Sequence, residues 1–286
     1  MPKKVITNKL DVPQRADVLL ANTYPEYSRA ALAKLFDLGF VIKDDKPLKP
    51  GDKLKPGEKF KADISPLKKQ AEKLDLPIIY EDDNVVVIDK PTGVISHARG
   101  RYWDEASVAS FVRDKVAGLE GERAGIVHRL DRATSGIMIC AKNPETMSFL
   151  QKQFANRRTK KAYIAIVQGD IEPSEAIIDV PIGRNLKKPT SFKADANGKK
   201  ATTRYKVVKS NDKYSLIELK PETGRTHQLR VHLKHINRPI VGDALYGGKS
   251  ADRLYLHATT LEITLPGGER KIFTSNLPKE FKGYFK

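Results

Sequence analysis

Cysteine is almost missing from this chain: Cys140 stands alone among 286 residues. One thiol cannot close an internal disulfide, and it excludes a zinc cluster built on cysteines. Cys140 lies within the apolar run Ile137-Met138-Ile139-Cys140-Ala141 and reads as a small core residue. Long hydrophobic runs are missing too. None approaches the ~20 apolar residues that span a bilayer. The opening residues, Met-Pro-Lys-Lys-Val-Ile-Thr-Asn, lack the apolar centre of a secretory signal. The expectation is a cytoplasmic protein with no membrane partner. No internal repeat is visible. Tryptophan occurs once, and Trp103 reads as a packing residue rather than a stacking platform.

Acidic residues are scarce relative to basic ones. The chain has 35 Asp and Glu against 52 Lys and Arg, a formal net charge of +17 and a pI of about 9.7. Such a field attracts polyanions, either nucleic acid or an anionic membrane surface. Residues 1–75 hold 16 basic against 11 acidic side chains, and the remainder holds 36 against 24. Both parts therefore face the polyanion. Hydrophobic content of 40% and charged content of 30% are those of a globular chain, long enough for one large domain and a small one.

The densest polar stretch hung on apolar flanks is Gly-Ile-Val-His-Arg-Leu-Asp-Arg-Ala-Thr-Ser-Gly, from Gly125 to Gly136. Ile126-Val127 before it and the run from Ile137 after it both read as short buried strands. A polar loop between core strands is a usual place for a site. Asp131, with Arg129 and Arg132 beside it, can serve as nucleophile or general base, or it can be a structural Asp–Arg pair in a turn. The residues alone leave both readings open.

His-Arg-Leu-Asp-x-x-Thr-Ser-Gly, here His128 to Gly136, resembles the signature of the RNA pseudouridine synthases of the large-subunit ribosomal type, the RluA-like group. Three more stretches are similar to that family. They are Tyr-x-Asp…Val-Ile-Asp-Lys-Pro-x-Gly…His from Tyr80 to His97, Lys-x-Tyr-x-Ala-x-Val-x-Gly from Lys161 to Gly169, and Thr223 to Leu233 with Arg238 to Gly247 behind it. The resemblance covers roughly residues 75 to 286.

It implies an α+β catalytic domain with a mixed, mainly antiparallel central sheet, and isomerisation of specific uridines in RNA to pseudouridine without metal or other cofactor. It further implies that Asp131 is the reacting carboxylate, Arg230 its partner and Tyr163 the ring that stacks on the uracil. A base taken out of a helix needs such a face. Arg129 would occupy the space the base leaves, while His97, Arg225 and His227 are RNA-facing candidates. A metal site among His227, His232 and His235 is set aside, because the three do not share one helix face.

Around these motifs the spacing predicts a helix from Ser107 to Val116. It predicts another capped by Asn143 with Met147, Leu150 and Phe154 along its core stripe, and a third capped by Thr226 with Leu229, Leu233 and Ile236 inward. The N-terminal part reads as a small two-helix unit, with Ser28 as N-cap and Ala31, Leu32, Leu35 and Phe36 as one stripe. Arg15, Ser28-Arg29 and Gly39-x-Val41 resemble the S-four-like RNA-binding module. There Arg29 and Lys34 on the second helix would meet RNA. Lys43-Asp44-Asp45-Lys46 departs from that module's Asn-Gly-Lys turn.

The expected division is an RNA-binding module over residues 1–65, a linker over 66–75 and a catalytic domain over 76–286. Ribosomal RNA is the first expected substrate and transfer RNA the second, and no obligate protein partner is evident. The reading from another class is a non-catalytic RNA-binding or ribosome-assembly protein.

Overall fold

A computed structural model describes residues 4–68, 74–97, 105–119, 121, 123 and 125–285. Trp103 and the middle of the expected linker lie outside these residues. The chain divides into two compact units: of the described residues, 4–68 and 105 belong to the first, and 74–97 and those from 106 onward belong to the second.

The N-terminal unit runs β1 (Lys4–Thr7), β2 (Gln14–Arg15), α1 (Ala16–Thr23), α2 (Arg29–Asp37), β3 (Val41–Lys43), β4 (Lys46–Pro47), β5 (Lys53–Leu54), β6 (Lys59–Ala62) and α3 (Ser65–Lys68). An antiparallel sheet in the order β1-β6-β3-β4 carries the two main helices. Ser28 caps α2, its hydroxyl accepting from the Ala31 N–H at 3.2 Å. The stripe Ala31, Leu32, Leu35 and Phe36 is buried with Leu19, Leu20, Val41 and Phe60. Asp44 and Asp45 both take positive φ, 47° and 58°, in the turn between β3 and β4. Short acidic side chains tolerate this region, so Asp44 and Asp45 build a tight turn although the chain departs here from Asn-Gly-Lys.

The second unit contains β7 (Ile78–Glu81), β8 (Val85–Lys90), α4 (Val108–Arg113), β9 (Ser135–Ala141), α5 (Pro144–Ala155), β10 (Lys160–Gln168), β11 (Glu175–Asp179), β12 (Ile182–Arg184), β13 (Phe192–Ala194), β14 (Thr202–Asn211), β15 (Tyr214–Pro221), α6 (Gln228–His235), β16 (Leu256–Thr264), β17 (Arg270–Thr274) and a closing 3-10 helix, Lys279–Phe285. Its large sheet has the order β11-β14-β15-β10-β16-β9-β8-β7, with β17 also on β16. Among the described strands of this sheet only the β9–β16 pair is parallel. The architecture is α+β with a mixed, mainly antiparallel sheet.

β8 and β9 are continuous apolar runs because both of their faces are covered. Val85, Val87, Ile137 and Ile139 face Leu150 of α5, while Val86, Ile88, Met138 and Cys140 face Val108 and Val112 of α4. Each such buried aliphatic side chain contributes about 1.5–3 kcal/mol relative to exposure. Asn143 caps α5 by accepting from the Thr146 N–H at 2.9 Å, with Pro144 in the first turn.

Three local expectations change. Ile126-Val127 is no strand: Ile126 makes a single bridge to Cys140. The next donor along that edge, the Ile139 N–H, is taken by the His128 ring at 3.1 Å, so the chain turns away. The helix expected from Ser107 to Val116 is shorter, running from Val108 to Arg113. Thr226 is not the N-cap of α6. That position belongs to His227, at φ 56° and ψ 19°, while the Gln228 side chain accepts from the Arg225 N–H at 3.0 Å.

Candidate active site

Asp131 stands on the loop between Ile126 and β9, and that loop is fastened at both ends. At its start, His128 stacks on Phe154 with ring centroids 4.5 Å apart and accepts the Ile139 N–H. Burial, with the Lys161 cation nearby, pushes His128 down to about 3, so it remains a neutral acceptor. Leu130 is buried in the core, and Ser96 holds its backbone twice: its hydroxyl donates to the Leu130 carbonyl at 2.8 Å and accepts the Leu130 N–H at 3.1 Å.

At the loop's end, Gly136 lies against β16. A Cβ there would come within 2.2 Å of the Ala258 carbonyl oxygen, and φ is +112°. The glycine of the signature is thus required by the parallel crossing of β9 and β16. Ser135 is bonded to His257 at 2.8 Å and receives a donor from Arg253.

Lys90, at the end of β8, lies under this loop with no exposed surface. Its ammonium donates to the carbonyls of Pro91 (2.9 Å), Val94 (2.8 Å) and Arg132 (3.3 Å). Burial pulls its pKa down to about 7, with Asp131 opposing the shift. The loop after β8 and the Asp131 loop are stitched further by Gly93 N–H to the Arg132 carbonyl at 2.8 Å and Thr92 hydroxyl to the Ala133 carbonyl at 2.9 Å.

From the other side, α6 presents Arg230. Its Nε and Nη2 form a fork on buried Asp243, at 2.8 and 2.7 Å, and its Nη1 stands 3.5 Å from Asp131 Oδ2. A guanidinium already fixed by one carboxylate meets the second without freedom to swing. Asp243 follows Gly242, where φ is +80° and a Cβ would come within 1.7 Å of the Arg253 carbonyl oxygen. This close approach places the acid beneath α6.

Tyr246 completes the bracket. Its ring lies 5.0 Å from the Arg230 guanidinium carbon, and its hydroxyl accepts the Phe192 N–H at 2.9 Å. The same hydroxyl is 2.9 Å from His227 Nδ1. We assign the phenol as donor to Nδ1, which leaves the His227 Nε2–H facing Asp131 Oδ2 at 3.8 Å. Burial lowers the His227 pKa, against the pull of Asp131.

Asp131, Arg230 and His227 line one cavity of about 590 Å³, with Asp243 and Tyr246 behind them. Asp131, Arg230, His227 and Tyr163 define one end. Thr223, Gly224, Arg225, Lys161, Thr159 and Arg157 line the same cavity. Tyr163 is half-buried on β10, and burial together with nearby Asp131 raises the pKa of its phenol. It is a neutral flat ring beside a carboxylate, fit to hold a planar base.

The structure therefore brings Asp131, Tyr163, Arg230, Arg129, Arg225 and His227 to one cavity. Arg225 is steadied by its Nε donating to the Lys200 carbonyl at 3.1 Å. His97 is not in the lining. It sits on the loop after β8, its Nδ1 without a hydrogen-bond partner among the described residues, and burial beside Arg129 and Arg123 lowers it to about 4. Arg29 and Lys34 lie on α2 of the N-terminal unit. Arg29 reaches Asp17 at 2.6 Å, and Asp17 also holds Arg15 at 3.0 Å.

Asp243, Tyr246 and Lys90 received no role from the sequence, whereas Lys161 belongs to the cationic run Arg157, Arg158, Lys160 and Lys161, which reads either as a complement to a helix C-terminus or as a phosphate holder. Asp243 and Lys90 sit inside the motif stretches, and a charged residue beside a strand end or a glycine was the only available signal.

The family model described as RNA pseudouridylate synthase matches residues 84–235. Ribosomal large subunit pseudouridine synthase D of Borreliella burgdorferi is 43% identical over 73% of this chain and 67% of its own length. The protein of the same name from Nitrosomonas europaea is 34% identical over 96% of this chain and 86% of its own. Among solved structures, human RNA Pseudouridylate Synthase Domain Containing 1 is 29% identical with a TM-score of 0.59, over 71% of this chain and 83% of that one.

Proposed function

We propose that this chain, which belongs to the RNA pseudouridylate synthase family and isomerises uridine in RNA to pseudouridine, acts on large-subunit ribosomal RNA with Asp131 as its reacting carboxylate. The observation that carries the role of Asp131 is its position in the cavity, 3.5 Å from an arginine that a second, buried acid holds in place.

In the reaction the bond from C1′ to N1 breaks and N1 takes a proton. The uracil turns, C5 joins C1′, and C5 gives up its hydrogen. Product and substrate are isomers, so no electrons are gained or lost overall. The work left to the protein is to hold a flipped base, place a carboxylate beside the reacting carbons and manage one proton.

Asp131 supplies the carboxylate. Arg230 fixes and balances it, with Asp243 setting the guanidinium plane. Tyr163 faces the uracil in place of the lost neighbours. Arg129, exposed on the same loop, occupies the gap in the RNA stack, and Arg225 and His227 complete the RNA-facing wall.

The N-terminal unit is read as an S-four-like RNA-binding module, with Arg29 and Lys34 on α2 as its RNA-facing cations. Asp17 aims Arg15 and Arg29 together. Ribosomal RNA as substrate is supported by the names of the relatives, and it places the work in the cytoplasm. Among the described residues no helix is long and apolar enough to cross a membrane.

The test is pseudouridine mapping of total RNA from cells lacking the chain, with wild type or Asp131→Ala supplied back. One ribosomal uridine that is modified only with wild type is the expected result. Restoration by Asp131→Ala removes the catalytic assignment, and a changed site in transfer RNA alone removes the ribosomal one.

A further inference from the structure

The part of the cavity around Lys161 and Gly224 is built differently from the part around Asp131. Lys161 enters it from β10, two residues before Tyr163, and both side chains line the same space. A register shift between Ala162 and Tyr163, where β10 pairs with β16, lies between them. Such irregularities re-aim side chains along a strand.

The Lys161 ammonium reaches the Thr223-Gly224-Arg225 turn. A Cβ on Gly224 would stand 3.9 Å from its nitrogen. Lys160, its exposed neighbour, pairs with Glu262 at 3.2 Å, but Lys161 has no carboxylate partner among the described residues. Glu222, in the same lining, is taken by Arg204 at 2.8 Å. The lining that Lys161 shares also carries Arg157, Arg225, Thr159 and the neutral His128, and of these His128 feels the Lys161 charge.

Burial lowers the Lys161 pKa, the cost of a charge taken from water without a partner. Holding an ammonium half-buried without a carboxylate partner makes sense when an anion arrives with the ligand.

We infer that Lys161, with the Gly224 turn opposite it, is a binding site for one backbone phosphate of the RNA, that of a nucleotide flanking the flipped uridine. The inference rests on reading the Asp131 end as the uracil site. Tyr163 holds the base, and Lys161, on the same strand and in the same cavity, holds the chain from which that base was drawn. A point charge on a flexible stem suits a phosphate. The missing side chain at Gly224 leaves the backbone room to approach.

Binding of octauridylate, a single strand with no pairing to break, is measured over a range of salt for wild type, Lys161→Gln and Lys161→Arg. Lys161→Gln weakens binding roughly 10-fold and flattens the slope of log affinity against log salt by about 0.7, the loss of one phosphate contact on a single strand. Lys161→Arg keeps the slope. An unchanged slope for Lys161→Gln overturns the proposal.

A methylphosphonate scan of octauridylate, neutralising one linkage at a time, needs no variant that could misfold. One linkage costs wild type affinity and costs Lys161→Gln nothing further. Equal costs at every linkage overturn the site. With the RNA identified by the mapping above, Lys161→Gln raises KM roughly 10-fold with kcat within about twofold. A fall in kcat with a lost limb of the pH profile makes Lys161 part of the chemistry instead. If Asp131→Asn isomerises normally while the scan still picks out one linkage, the catalytic reading falls and the phosphate site stands.

Discussion

At the Asp131 end of the cavity charge is satisfied by the protein itself, and at the Lys161 end it is not. Asp131 faces Arg230, Arg230 is forked onto Asp243, and His227 is tied to Tyr246. Nothing there needs to rearrange when substrate arrives, which is what preorganised electrostatics requires. Lys161 has the opposite character, an ammonium drawn from water with no carboxylate among the described residues. The first end is suited to chemistry at fixed atoms. The second is suited to an anion that comes and goes. A site that binds a polymer needs both, since an internally balanced cavity holds the base but gains little from the backbone.

The comparison breaks most completely at Asp131. Asp131→Asn keeps the shape and removes the reacting oxygen, and isomerisation falls roughly 10³-fold or more in single-turnover assays while RNA binding is retained. Asp243→Ala strips the fork from a buried guanidinium. Urea unfolding of that variant shows a loss of about 3 kcal/mol, because an ion left without its partner keeps its desolvation penalty. Its activity falls as well, as Arg230 is no longer held.

Lys90→Met leaves the carbonyls of Pro91, Val94 and Arg132 without their shared donor. The expected cost is about 2 kcal/mol by urea unfolding, with faster amide exchange in the Asp131 loop. Lys161→Gln is smaller, the roughly 10-fold change in affinity and KM already described, with stability unchanged or slightly raised.

The gentlest effect is on pH. His257 is held at about 4, chiefly by burial, and His128 at about 3. The unfolded chain takes up these protons near pH 6.5 and the folded chain does not. Stability therefore falls as pH drops from about 6.5 towards 4. His257→Gln flattens the profile of unfolding midpoint against pH in that window.

Much of this was legible because the signals were local. The alternation and apolar runs of β8, β9, β14 and β15 gave strands. Ser28 and Asn143 gave helix starts, and the four motif stretches pointed to the loop and to α6. The parallel β9–β16 crossing was not legible, yet it explains the glycine of the signature at Gly136. Asp243 was missed because an acid after a glycine looks like an ordinary turn residue until α6 is laid over it. Thr226 looked like a helix cap because its type suits one. The structure gives the place to His227 in a left-handed conformation, and that is what turns the imidazole towards Asp131. The misses at Gly136 and Asp243 depend on contacts between residues distant in sequence, where periodicity carries no information, while that at Thr226 turns on a local backbone conformation.

The measurement that tests the account most directly is release of the C5 hydrogen from RNA labelled with 5-tritiated uridine, by purified wild type and Asp131→Asn with RNA affinity measured alongside. Wild type releases the label as uridine becomes pseudouridine, and Asp131→Asn binds the RNA equally well but releases none above background. Release by Asp131→Asn at the wild-type rate would contradict the assignment of Asp131 and leave the Arg230–Asp243 bracket as a structural support only.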